Sequence, residues 1–537
     1  MTDTDGTNVL FVVLDTVRKD HLSVYGYEEP TTPRLAEFAE EAAVFENAVA
    51  PAPWTLPVHA SLFTGLYPSE HGATQETPYL DGATTLAESL SAAGYDTACY
   101  SSNAWITSYT NLTDGFDDHD NFFQIMPSEL LSGPLATLWK TMNDNDTLRS
   151  VADRMVQVGN KIHEHLAEGG GGDTKTPAVV DKTIEFVDDS DQFFAFVNLM
   201  DAHLPYHPPE EYAEEFAPGV DSTAVCQNSK EYNSGARDID DEEWDALSGL
   251  YDAEIRHMDD QLDRLFSHLK ETGQWEDTMV VVCADHGELL GEHDLYGHEF
   301  CIYDPLVNVP LMVKHPDVEP GRDDETTVEL IDLYHTVLDA TGVAERSEGT
   351  PNERTGSDAT REPGVEGDGE GLDRVRSLLN ADYREFAGSD AGKSSSDRTG
   401  ELDGLERGDV GYVEYHQPVV ELRQLEGKAS SAGITLDTDS RFYSRMGAAR
   451  TPDAKYIHNT RIPDEAYRLD EDPGETENVA SSDDEDGKIA AVRDALFRFV
   501  DAIDADWPDE ADGSDGEVLD DMDDDAKDRL KDLGYID

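Results

Sequence analysis

A chain of 537 residues exceeds what one hydrophobic core usually organises, so a large domain joined to a smaller one, or carrying sizeable insertions, is expected. Its 117 acidic residues against 39 basic ones leave a formal charge of −78, spread along most of the length. Such a surface repels nucleic acid and anionic membranes, which excludes both as main partners, and an anionic substrate would need a cation to bind. In multimolar salt the screening length falls to roughly 3 Å or less and the same surface becomes tolerable, so a halophilic cytoplasm is the favoured reading. Long disordered acidic segments are the alternative, and they account for part of the charge. Cys99, Cys226, Cys283 and Cys301 are scattered without metal-ligand spacing and read as buried thiols. The first residues carry no basic signal-peptide region and no run reaches the length of a membrane span, so a cytoplasmic, non-membrane protein is expected.

Taken in chain order, residues 9–14 form an apolar run closed by Asp15 and read as a buried strand, followed by a helical pattern at 33–43. A helix opens near Thr55 after the turns at Pro51 and Pro53, and another spans 85–93 before a strand at 97–100. Residues 124–176 read as an insertion ending in the glycine run 169–172. Strands follow at 193–200, 279–283 and 309–313, with a helix at 243–269. Alternation of this kind predicts an α/β domain with a mostly parallel sheet over 1–345. Residues 346–409 turn acidic and Gly/Ser-rich, a solvated linker or insert with a short helical stretch near 372–386. Strands at 410–415, 441–443 and 455–458 and a helix at 488–504 predict a smaller α+β subdomain over 410–505, and 506–537 is an acidic tail.

In open sheets of this kind, ligands bind beyond the carboxyl ends of the strands. Those ends deliver Asp15, Asn103, Asp201 with His203, and Asp285 with His286. Thr55 falls at a helix N-terminus, where unpaired backbone amides and the helix dipole favour an alkoxide or a bound anion. Taken alone, it reads as an N-cap only. The run 280–283 ends in Asp285-His286-Gly287-Glu288, a carboxylate and an imidazole fixed at one strand end, which suits a divalent cation; alone, it is a surface turn. Asp15 adds a second carboxylate, and Thr55 could coordinate the same ion and be deprotonated by it.

The order of these blocks resembles the sulfatase family of the alkaline-phosphatase superfamily. The likeness is carried by residues 8–15 with Asp20 and Tyr25-Gly26, the block 55–65 with Tyr67-Pro68 and His71-Gly72, the segment from Thr85 to Tyr95, residues 198–209, and 285–288 with Gly291-Glu292-His293. It continues through Val309-Pro310-Leu311 and 331–334, and returns at Tyr467-Arg468-Leu469 and Asp472-Pro473-Gly474-Glu475. The resemblance implies an alkaline-phosphatase-like fold and one divalent metal ion, Ca, Mn, Zn or Mg, held by Asp15, Asp285 and His286 with Thr55 completing the site. Family members usually carry a second acid where this chain has Thr16, which leaves one ligand position open. His203 matches the histidine that contacts the ester oxygen or leaving group, with Asp201 and His207 as further candidates. His298 stands where relatives often carry a lysine, a general acid or a cation for the leaving oxygen, with His293 as second choice. Asn103, or Ser102 if the alignment slips by one, occupies the neighbourhood where sulfatases offer a lysine to the nonbridging oxygens.

The departures bear on the substrate. Type I sulfatases convert Cys or Ser at the Thr55 position to formylglycine and want Arg where His59 stands, and threonine cannot become that aldehyde. A metal-activated hydroxyl, as in phosphodiesterase and phosphotransferase relatives, is what the resemblance then implies; His59 either helps position the anion or is a structural helix histidine. The expected activity is hydrolysis or transfer of an anionic phosphate or sulfate ester, on a sugar or a lipid, with phosphate preferred. The alternative is a non-catalytic relative serving as a binding or scaffolding protein, for which Val58, His59 and Ser102 speak.

Overall fold

The structure is a computed structural model that describes residues 7–122, 175–343, 373, 376–380, 408–481 and 487–503. The insertion expected at 124–176, the acidic segment 346–409 and the tail 506–537 lie outside the described residues apart from a few positions.

The strands are β1 (Asn8–Leu14), β2 (Ala43–Val49), β3 (Asp96–Ser101), β4 (Asp118–Asn121), β5 (Phe193–Leu199), β6 (Thr278–Cys283), β7 (Leu289–Leu290), β8 (Tyr296–Gly297), β9 (Asn308–Lys314), β10 (Gly321–Glu329), β11 (Gly411–Tyr415), β12 (Met446–Arg450), β13 (Ala454–Asn459) and β14 (Glu465–Arg468). Eight of them form one sheet in the order β10-β2-β9-β6-β1-β5-β3-β4. All neighbours in it run parallel except β9, which is antiparallel to both β2 and β6. This is the mixed, mostly parallel sheet that the alternation of apolar runs and helical patterns predicts. The central strands β6, β1 and β5 are buried at every residue, because helices cover both faces, and that is why their sequences are continuous apolar runs.

The longest helix among the described residues, Asp241–Thr272, is capped by Asp240, whose side chain accepts from the Glu243 amide, and ends at Gly273 in the left-handed region. Leu247, Leu250, Ile255, Met258, Leu262 and Leu265 bury its apolar face in the same core as the sheet. Helix Leu86–Ala92 begins with a reciprocal capping box between Thr85 and Glu88.

Three expectations need correction. The helix at 33–43 stops at Phe38, since Ala43–Val49 is taken into the sheet as β2; Phe38 packs on Phe266 of the long helix, 5.1 Å between ring centroids, while Val44 and Phe45 are buried from the strand. Residues 441–443 form a single 3-10 turn, and the strand lies at Met446–Arg450 instead. Positions 376–380 of the helical stretch expected at 372–386 form a bend and a turn.

β11 to β14 make a separate antiparallel sheet, the smaller subdomain. Helix Gly487–Ala502 packs on one face through Val492, Ala495 and Leu496 against Ala449, Ala454 and Tyr456. Val413, Tyr415, Met446 and Ile457 bury the other face against Val49, Ile302 and Leu306 of the larger unit. All four cysteines are free and buried. Among the described residues no helix is long and apolar enough to cross a membrane.

Candidate active site

β1 ends at Leu14, and the next amide, that of Asp15, still donates to the Leu199 carbonyl at 2.8 Å, so the sheet fixes the Asp15 backbone. Its Oδ2 accepts from Asn103 at 2.7 Å and from Asn198 at 3.1 Å, whereas its buried Oδ1 meets no hydrogen-bond donor. Thr16 adopts φ +60 and turns its hydroxyl onto the Asp15 carbonyl at 2.6 Å, while its amide donates to Asp285 Oδ1 at 3.2 Å. The position where relatives carry a second acid therefore supplies a backbone amide that orients Asp285.

Asp285 follows β6 by one residue, and its Oδ1 also accepts from the His286 amide at 2.9 Å. Its Oδ2 is buried without a donor. His286 donates from Nδ1 to the Gly287 carbonyl at 3.0 Å, which leaves the Nε2 lone pair 3.5 Å from Asp285 Oδ2 and 3.5 Å from Thr55 Oγ1. One ligand atom each of Asp15, Asp285 and His286 falls within 4.8 Å of the others, and all three residues are buried. Burial and the neighbouring Asp15 charge push the Asp285 carboxyl well above its usual range, and burial, with His298 nearby, holds the His286 imidazole far below 6.5.

A divalent cation fits this group on its own evidence. Two buried carboxylate oxygens lack donors, an imidazole nitrogen has been left open by the carbonyl that fixes its tautomer, and hard oxygen plus imidazole is a donor set that divalent ions accept.

Thr55 is the first residue of helix Thr55–Thr64, preceded by Trp54 in extended conformation, and no side chain caps this end. The cap position belongs to Trp54, so the reading of Thr55 as an N-cap is overturned. Its hydroxyl accepts instead from Asn103 Nδ2 at 3.2 Å. Asn103 thus bridges Asp15 and Thr55, a more committed position than a free donor to an ester oxygen, and it rather than Ser102 reaches the centre. His59 sits one turn further along, fully buried, with Nδ1 2.9 Å from the Thr55 carbonyl and 3.7 Å from Asp285 Oδ2. Burial lowers its pKa to about 4, so it is neutral and packs edge-on against Phe63 and Phe196, which favours the structural alternative.

On the open side, His298 donates from Nδ1 to Glu288 Oε1 at 3.0 Å and its ring lies 4.5 Å from that of His286 and 5.3 Å from that of His203. Burial pulls this imidazole down, but the charge and hydrogen bond of Glu288 outweigh it and raise the pKa to about 9. His203, half-buried, has its Nδ1 2.7 Å from the Leu204 carbonyl, so Nε2 is the open nitrogen in both rings. His203 and His298 both line a cleft of about 880 Å³.

The remaining candidates lie elsewhere. His293 stacks on Tyr303 with centroids 3.7 Å apart. Asp201 pairs with His257 at 2.8 Å and, with Glu254, belongs to a separate acid and imidazole group; His207 Nδ1 lies 3.0 Å from Ser222 Oγ. Two residues were missed as site members, Asn198 and Glu288. The first is the one polar side chain in the apolar run of β5, and the second follows Asp-His-Gly directly; both were signals available in the sequence.

Fold and geometry define an α/β protein with a candidate divalent-metal centre at the tips of its sheet. The sulfatase family model matches residues 7–343, and the chain belongs to the sulfatase family, within the alkaline-phosphatase superfamily. It is similar to an arylsulfatase of Clostridium perfringens, 25% identical over 366 residues that cover 62% of this chain and 74% of that one. A multifunctional alkaline phosphatase superfamily protein of Trinickia caryophylli is 28% identical over 393 residues, again 62% and 74% of the two chains. Among solved structures, the phosphonate monoester hydrolase of Agrobacterium radiobacter shares the fold with a TM-score of 0.61 at 21% identity, covering 93% of this chain and 95% of that one.

Proposed function

We propose that the protein is a metal-dependent hydrolase of phosphoric esters, mono- or diesters, acting through Thr55 as nucleophile and capable of phosphoryl transfer to an alcohol. The observation that carries this reading is the convergence on Thr55 Oγ1 of a helix end without a side-chain cap, the Asn103 amide and the open Nε2 of His286, beside two carboxylate oxygens that lack donors. Relatives include sulfatases as well as a phosphatase-superfamily enzyme, so sulfate esters are the competing substrate. Threonine at position 55 favours phosphate, since it cannot supply the aldehyde hydrate that type I sulfatases use.

A divalent cation held by Asp15, Asp285 and His286 would neutralise the two carboxylates, lower the pKa of the Thr55 hydroxyl so that its proton leaves to solvent, and draw charge from the ester. The chain's own residues do the rest. Asn103 holds Thr55 Oγ1 in line, and the first-turn amides of helix Thr55–Thr64 face the negative charge that builds on the nonbridging oxygens. Thr55 Oγ1 forms a bond to phosphorus as the bond to the leaving oxygen breaks, and protonated His298 delivers its Nε2 proton to that oxygen. Neutral His298 then takes a proton from a water whose oxygen bonds to phosphorus as the bond to Thr55 Oγ1 breaks; His298 is protonated again and Thr55 Oγ1, released as the alkoxide, regains its proton from solvent. His203, at the same mouth, stabilises the leaving oxygen. The division into a catalytic unit over 1–345, an acidic segment over 346–409, a subdomain over 410–505 and a tail, in a salt-rich cytoplasm, belongs to the same reading.

Release of p-nitrophenol from its phosphate, phosphodiester and sulfate esters, in high salt with added Mn, Zn, Ca or Mg, tests this. Metal-dependent turnover that Thr55→Ala abolishes supports it. Equal rates for the two proteins would remove Thr55 as the nucleophile, and no turnover of any of these esters would instead favour a binding or scaffolding role.

A further inference from the structure

Ser101 closes β3, and its buried hydroxyl stands at the head of a chain of hydrogen bonds that ends on Asp15. The sheet order brings this about. β3, β5 and β1 are neighbours, and the parallel register that pairs Tyr100 with Val197 sets Ser101 beside Asn198 at the next step. Ser101 Oγ accepts from the Asn103 backbone amide at 2.9 Å and donates to Asn198 Oδ1 at 2.9 Å, and Asn198 Nδ2 donates in turn to Asp15 Oδ2 at 3.1 Å.

Building on the metal-dependent function proposed above, we infer that Ser101 is a positioning residue for the cation: its hydroxyl sets the direction of the hydrogen bonds that converge on Asp15 Oδ2, and so reserves Oδ1 as the metal ligand.

The direction follows from counting donors. A backbone N–H can only donate, so the Asn103 amide takes a lone pair of Ser101 Oγ. The one hydroxyl proton of Ser101 then goes to Asn198, where it needs an acceptor, and that is the carboxamide oxygen. With Oδ1 held on that side, the amino group of Asn198 faces Asp15. A second backbone amide does the same for Asn103: Trp105 N–H donates to its Oδ1 at 2.9 Å and turns its amino group toward Asp15 Oδ2 and Thr55 Oγ1, at 2.7 and 3.2 Å. Both carboxamides therefore place a donor on one carboxylate oxygen, while Oδ1 meets none.

Neutral amides orient the carboxylate without cancelling the charge that attracts the ion. Without the Ser101 hydroxyl, two buried groups lose a partner at once, the Asn198 oxygen and the Asn103 amide, and rotating the carboxamide away from Asp15 relieves them. Asp15 can then turn, and the oxygen reserved for the cation takes a donor instead.

Manganese binding to the full-length protein, titrated calorimetrically in high salt, tests this without turnover. Ser101→Ala should weaken the affinity by about 10-fold or more, as expected on removing a group that orients a metal ligand. Ser101→Cys keeps the volume with only a weak S–H donor and should behave like alanine, whereas Ser101→Thr keeps the hydroxyl and should restore most of the affinity. Because Ser101 acts through Asn198, adding Ser101→Ala to Asn198→Leu should weaken binding by less than about 3-fold, whereas independent structural effects would multiply. Affinity within about 3-fold of wild type in both Ser101→Ala and Ser101→Cys, or losses that multiply in the double variant, would overturn the positioning role and leave the metal-dependent reading intact. A wild type that binds no manganese would overturn that reading, and the inference with it.

Discussion

Two groups of buried charge, one at the joint between the two sheets and one at the strand tips, differ in composition. At the joint between the two sheets, Asp304 accepts from Arg450 at 3.0 Å and Lys455 at 3.0 Å, its amide donates to Glu475 at 2.6 Å, and Lys455 also pairs with Glu475 at 2.9 Å. Two acids meet two bases there, and although burial works against it, Arg450 and Lys455 hold the Asp304 carboxyl well below the ordinary range. At the strand tips, Asp15 and Asp285 face each other and a neutral His286, with no Lys or Arg between them among the described ion pairs, and Asp285 is displaced in the opposite direction. Burial alone does not mark a functional carboxylate. A buried carboxylate oxygen without a donor is also found on Glu414, so what sets the strand tips apart is two of them converging beside an open imidazole nitrogen, an arrangement whose cost a bound cation would offset.

That contrast can be broken in several ways. The largest expected effect is on chemistry: Thr55→Ala should lower kcat by about 10³-fold or more, measured with p-nitrophenyl phosphate, because the attacking oxygen is gone while both charge groups remain. Substitutions within the two groups should then differ in sign. Lys455→Met leaves Asp304 and Glu475 short of a counter-charge and should cost about 3–5 kcal/mol of unfolding free energy in denaturant titration. In metal-free protein, Asp285→Asn removes a repulsion and should raise stability instead. Equal losses in both would erase the distinction drawn here. Added metal at a hundred times its Kd should stabilise the wild type by about 2.7 kcal/mol and Asp285→Asn far less, read as a shift in thermal midpoint.

The smallest effect is in the pH profile. His298 is proposed to act as an acid, so activity needs its protonated form and falls as pH rises through its pKa, at about 9. Glu288 is what raises that value against burial, so Glu288→Gln should move the alkaline limb to lower pH. A limb that stays in place would remove His298 from the role.

Much of this was legible in the sequence, for a physical reason. β1, β5 and β6 are buried on both faces, so their apolar runs are unbroken, and the polar residues at their ends stand out as Asp15, His203, Asp285 and His286. β10 was not legible, since its first half, Gly-Arg-Asp-Asp-Glu, lies on the sheet's edge and carries no apolar signal. β12 is Met-Gly-Ala-Ala-Arg, too small to read as a strand although every residue is buried. Within the site, residue type was visible but orientation was not. Nothing in the chain order says that Thr16 turns its hydroxyl onto its own backbone and offers an amide to a carboxylate 269 positions away, or that Asn103 bridges two site residues. The cleft was equally hidden, because helix Val419–Ala432 comes to line it with His298 only through the tertiary fold.

The most direct test is a crystal structure of the protein soaked in manganese, with anomalous data collected near the metal edge. The account predicts a single strong peak with Asp15, Asp285 and His286 among its ligands at about 2.0–2.3 Å and Thr55 Oγ1 in or beside the coordination sphere. A saturated crystal with no peak at that position, or with the ion held elsewhere and Thr55 turned away from it, would contradict it.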